Sequence, residues 1–135
     1  MSVRFPDDVA ERLRKQASAT GEASSGLAQR LVDEGLRMEL HPGIIFRPGP
    51  SGRRAALLRG PDVWEIVGLV RSLKTRGQAA LAEAAEWLGL SVDQVRLALD
   101  YYGEFPEEID RQIDANDSAA ERAERIAQTQ QRLLR

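Results

Sequence analysis

The stretch "GIIFRPGPSGRRAALLRG", residues 43–60, decides how many folded units this 135-residue chain contains. It is rich in Gly, Pro and Arg, yet it carries two apolar runs, Ile44-Ile45-Phe46 and Ala55-Ala56-Leu57-Leu58. A phosphate-cradling loop would need a Gly-Lys-Ser/Thr that opens a helix after a strand, and the glycines at 43, 49 and 52 do not supply one. A plain linker would not hold seven residues fit for burial. A β-hairpin accounts for both halves: strands at about 44–47 and 53–58, joined by the Pro48-Gly49-Pro50-Ser51-Gly52 turn. The stretch therefore opens a second folded unit, and the linker shrinks to His41-Pro42. Arg47, Arg53, Arg54 and Arg59 on this hairpin form either a basic wing on DNA or ion pairs with acidic helices nearby.

Downstream of Pro61 the pattern is helical throughout. Asp62 with Glu65 predicts a capping box, and Val63, Ile66, Val67, Val70 and Leu73 give the buried face of the first helix. In "LAEAAEWLGLSVDQVRLAL", Ala85, Gly89 and Val95 are spaced as in a helix-turn-helix, with Ser91 and Gln94 boxing the second helix. Its outward positions would be Val92, Asp93, Arg96, Leu97 and Asp100. Two carboxylates and a leucine there repel phosphate, so the motif reads as packing scaffold or protein-binding surface rather than a DNA reader. Phe105-Pro106-Glu107-Glu108 starts a last helical segment. Asn116-Asp117-Ser118 is expected to break it, leaving residues 116–135 as a helical tail that either frays or docks on a partner.

Upstream, Ser2-Val3-Arg4-Phe5 alternates polar and apolar like a half-buried strand. Pro6-Asp7-Asp8 starts a helix carrying Val9, Leu13 and Ala17, and Thr20-Gly21 ends it. Ala23-Ser24-Ser25 opens a second helix, with serine available for capping. One short strand has no partner, and 40 residues bury too little surface to stand alone. Two copies solve both problems, with paired strands and a shared four-helix core, so a homodimer follows from the physics. The expected fold class is mainly α: a dimerising unit over 1–40, a hairpin and helix-turn-helix-like unit over 43–115, and the tail.

The stretch "VRFPDDVAERLRKQASATGEASSGLAQRLVDEGL" resembles the N-terminal region of ribbon-helix-helix proteins in element order and spacing. The resemblance implies a paired ribbon in the major groove of DNA, with Val3 and Phe5 inward and Ser2 and Arg4 toward bases. Arg4 would bond guanine in a bidentate manner, and the helix start at Ala23, Ser24 and Ser25 would face phosphate.

Net charge is −2, but residues 41–76 carry seven basic and two acidic groups, while 104–135 carry five and eight. There is no cysteine and one histidine, His41, so thiolate and zinc sites are excluded. His41 is expected to be solvated or to cap a helix. Adjacent acids at helix starts diverge and serve the helix dipole, so no catalytic residues, metal or cofactor are expected. No apolar leader or run of about 18 apolar residues occurs, which points to a cytoplasmic protein.

A ribbon-helix-helix region followed by a longer C-terminal part resembles VapB-type antitoxins. "HPGIIFRPGPSGRRAALLRGPDVWEIV" with "AAEWLGLSVDQVRLALDYYGEFPEEID" is also similar to a small uncharacterised family that often accompanies them. The antitoxin resemblance implies repression of its own operon through operator DNA, and masking of a PIN-domain ribonuclease toxin. Arg122, Arg125, Arg132 or Arg135 would then neutralise the acidic metal site of that nuclease. A stand-alone transcription regulator with a sensing or protein-binding helical unit is the competing reading, and a scaffold that does not touch DNA is a third.

Overall fold

The computed structural model describes all 135 residues, which divide into two compact units, Met1–Pro42 and Gly43–Arg135. In the first, α1 (Asp7–Thr20) and α2 (Ser24–Leu40) pack as a hairpin of helices. Pro6 precedes α1, with Asp7 and Asp8 in the first turn where the dipole favours acids. Gly21 ends α1 at φ 73°, a left-handed turn that lets its N–H reach Ala17 O. The cap of α2 departs from expectation: Ala23 is the N-cap, and neither serine makes a side-chain capping bond.

Residues 1–6 form no strand. The alternating pattern of Ser2–Phe5 needs a second strand to satisfy its backbone, and the first unit of a single chain holds none. The helix pair is equally incomplete. Its buried apolar residues are Ala17 and Leu27, while Leu31, Val32, Leu36 and Met38 of α2 stay exposed.

The second unit opens with the hairpin, β1 (Ile44–Arg47) antiparallel to β2 (Arg54–Leu57), in the register Ile44↔Leu57 and Arg47↔Arg54. Gly52 lies at φ 117°, and its N–H bonds Gly49 O at 3.1 Å to close the turn. Helices α3 (Val63–Ser72), α4 (Gln78–Leu88), α5 (Val92–Glu104) and α6 (Pro106–Leu133) follow. Their inward residues join Ile44, Ala55 and Leu57 of the hairpin in one core: Val63, Ile66 and Val67 from α3, Leu81, Ala84 and Ala85 from α4, Val95, Ala98 and Tyr101 from α5, Ile109 and Ile113 from α6. Tyr101 is fully buried, with its ring 4.8 Å from Phe105, and its hydroxyl donates to Glu108 Oε2 at 2.8 Å.

Of the two expected capping boxes, one forms. Ser91 Oγ accepts from Gln94 N at 3.1 Å while Gln94 Oε1 accepts from Ser91 N at 2.9 Å. Asp62 occupies the N-cap of α3 but makes no capping bond. Its buried carboxylate is claimed by Trp64 Nε1 at 3.0 Å and by the Arg54 guanidinium, whose Nε lies 2.6 Å away. Charge attraction outcompetes a neutral backbone donor here. Across the unit, Arg71 of α3 donates to Tyr102 and Asp110, tying α5 and α6 to α3. The Arg71 hydrogen bond, then that of Tyr102, holds the Asp110 carboxyl below its ordinary range; bonding to Asp110 raises Arg71 in turn.

Helix α6 runs unbroken for 28 residues, through Asn116-Asp117-Ser118 where a break is expected from the sequence. Its buried residues are Ile109 and Ile113, and everything beyond Ile113 is exposed. An exposed polar side chain has no need to turn back on the backbone, which removes the reason for the break. No helix of the chain is long and apolar enough to cross a membrane.

Candidate nucleic-acid interface

The first unit brings together an apolar groove, an exposed extended segment and a bare helix start. The groove, of about 260 Å³, is lined by Phe5, Val9, Leu13, Ala28, Leu31 and Val32, with Arg12 and Gln16 at its rim. Phe5 reaches it from the extended segment, which makes it the inward residue that the alternation of Ser2–Phe5 implies. Val3, the other expected inward residue, is 65% exposed in the single chain. Ser2 and Arg4 are exposed on the same segment.

At the start of α2, Ser25 is exposed and Ser24 half-buried, beside the N-cap Ala23. The N–H groups of this first turn have no carbonyl four residues back within the helix, and no acid occupies the turn to compete for them. Glu22 stands just ahead and would repel an anion if left alone. Arg30 neutralises it, with Nη2 at 2.9 Å and Nε at 3.3 Å from the two carboxylate oxygens, and Thr20 Oγ1 donates at 2.8 Å. The Glu22 hydrogen bond, partly offset by desolvation, raises the Arg30 guanidinium, and Glu34 adds a second contact at 3.7 Å. This clamp is invisible to helical spacing, because its two residues lie eight apart across a turn.

The remaining site candidates lie in the second unit. Arg54 and Arg47 converge on Asp62, and Arg47 also donates to Gly60 O at 3.2 Å and Leu57 O at 3.0 Å. Arg53 donates to Phe46 O at 3.4 Å, and Arg59 is exposed. The acid that Arg47 and Arg54 of the hairpin engage is thus the one at the start of α3. On α5, Val92 and Leu97 pack against the core instead of facing outward, which corrects the expected outer face; Asp93, Arg96 and Asp100 do face solvent. Arg96 bonds Gln78 Oε1 at 3.1 Å and lies 3.9 Å from Asp93. Arg122, Arg125, Arg132 and Arg135 are exposed on the free part of α6. His41 is buried at the end of α2 rather than solvated, and its N–H bonds Arg37 O at 2.9 Å. No group of three His, Cys, Asp or Glu is placed to hold a metal ion.

Comparison with curated proteins and with solved structures finds no match. Residues 1–39 match the model of a family described as a CopG-like ribbon-helix-helix domain, and the N-terminal unit is accordingly a ribbon-helix-helix region.

Proposed function

We propose that this chain is a homodimeric, DNA-binding transcription regulator. The observation that carries this reading is the incompleteness of the N-terminal unit. Its helices leave an open apolar groove, and its alternating N-terminal segment lacks the strand it needs. A second copy supplies both. Fully burying a large aliphatic or aromatic side chain is worth about 1.5–3 kcal/mol, and the groove residues count twice in a symmetric dimer. The paired strands then present Ser2 and Arg4 of both copies on one side, as a ribbon narrow enough for the major groove. The two α2 starts, at Ala23, Ser24 and Ser25, flank it as phosphate contacts.

Arg4→Ala tests the reading. The variant should bind its DNA site more weakly by about 1–3 kcal/mol per half-site contact. Wild-type affinity should also fall steeply between low and physiological salt, as counterion release demands. Unchanged affinity in a gel shift, or a flat salt response, would take the ribbon off the DNA.

The finer reading, an antitoxin that represses its own operon and masks a PIN-domain ribonuclease, is favoured by one feature. Beyond Ile113, α6 is wholly exposed; Arg122 stands among the acids of residues 114–124, but residues 125–135 carry Arg125, Arg132 and Arg135 with no acid, a cationic end suited to an acidic nuclease site. Co-expression with a nuclease encoded beside it should yield a complex that is lost when residues 116–135 are deleted. Absence of any complex would leave the regulator, whose second unit binds a protein or senses a ligand.

A further inference from the structure

Trp87, near the end of α4, is 71% exposed, although its indole is among the largest apolar bodies a side chain offers. It borders two hollows on the surface of the second unit. One, of about 420 Å³, is lined by Glu83, Glu86 and Trp87. The other, of about 370 Å³, shares Glu83 and Trp87 and runs on to Leu69, Leu73, Lys74 and Thr75. Glu83 lies three residues before Glu86 and four before Trp87, a spacing that gathers all three on one helix face.

The two carboxylates are ready for a cation. Thr75 Oγ1 donates to Glu83 Oε2 at 2.6 Å, which fixes that side chain. Neither Glu83 nor Glu86 forms a salt bridge, whereas Glu22, Asp62, Asp93 and Asp110 each face an arginine. Lys74 lines the second hollow only, so the first presents acids and an aromatic ring with no competing base.

We infer that this face docks a basic segment of another protein, one that offers an arginine beside an apolar residue. A guanidinium over an indole gains from the negative face of the ring, and tryptophan is the best ring for it. The acids beside the ring supply matching charge, and the planar fork of arginine meets a carboxylate in a bidentate manner. The same acids exclude nucleic acid, whose phosphates they repel. The hollow over Leu69 and Leu73 takes the adjacent apolar side chain, a space that free arginine or a small amine would leave unfilled. Tryptophan and arginine are also over-represented among the residues that carry most of the binding energy of an interface. Every group named lies in the second unit, so docking there requires neither the ribbon nor the free half of α6.

The probe is a blocked hexapeptide of alternating arginine and leucine, titrated into the intact protein labelled with nitrogen-15. The two indole N–H signals, from Trp64 and Trp87, are told apart in the NMR spectrum by Trp87→Phe. The Trp87 signal should move to saturation while that of Trp64 stays in place, and binding should weaken as salt is raised. Glu83→Gln with Glu86→Gln should weaken it by about five- to tenfold. Asp93→Asn, which removes an acid that lines neither hollow, should leave it unchanged. An unmoved Trp87 signal, equal binding of a peptide with uncharged citrulline in place of arginine, or full affinity in the double glutamine variant would overturn the inference. So would a Trp87 signal that shifts when the protein alone is diluted, since a second copy would then occupy this face.

Discussion

Leu31→Asp should turn the protein into a monomer and remove DNA binding with it. Leu31 lines the groove of the N-terminal unit and is half exposed in the single chain, so it contributes little to the fold of one copy. In the proposed dimer it is buried twice, once from each copy. The substitution removes two apolar contacts of about 1.5–3 kcal/mol each and places two carboxylates in an apolar seam. Even about 4 kcal/mol corresponds to a thousandfold weaker dimer. Sedimentation equilibrium should show the mass fall to that of one chain, and a gel shift should show no bound species. Both tryptophans, Trp64 and Trp87, lie in the second unit, so unchanged tryptophan fluorescence would show that the loss is confined to the first. A variant that stays dimeric would place the contact between copies elsewhere.

Ile109→Ala should have the largest effect on stability and touch the opposite half of the chain. Ile109 is fully buried in the core of the second unit, on the first turns of α6. Truncating such a residue costs about 2–5 kcal/mol, a large part of the 5–15 kcal/mol that holds an ordinary domain. The melting temperature followed by tryptophan fluorescence should drop accordingly, since both reporters sit in this unit. DNA affinity at low temperature should stay within a few-fold of wild type, because the ribbon and its helices lie outside the altered core. An undiminished melting temperature would mean that α6 does not contribute to that core.

The parts legible in the sequence are those fixed by local chemistry. The hairpin of residues 44–57 follows from apolar runs around a Pro-Gly turn, and the α4–α5 corner from Gly89, with φ 66°, and the Ser91–Gln94 box. What escaped depends on distant or absent groups. Asp62 has the right spacing for a cap, but Arg54 arrives from the hairpin and takes its carboxylate. Glu22 and Arg30 meet across a turn that no periodicity describes. The break expected at Asn116-Asp117-Ser118 rests on side chains there capping a fresh helix, yet exposed residues of these types each cost well under about 1 kcal/mol inside a continuous one. The strand of residues 2–5 is legible as a pattern, yet none forms in the single chain, and in the proposed dimer its backbone bonds belong to two chains. For the same reason the candidate interface is visible in one copy only as a groove, an extended segment and a bare helix start.

Sequence selection from a random duplex pool tests the central claim most directly. The intact protein should enrich a site with two related half-sites, as a two-fold symmetric ribbon requires, and Arg4→Ala should lose preference at the positions it reads. Failure of the intact protein to enrich any sequence, or identical enrichment by Arg4→Ala, would contradict the account.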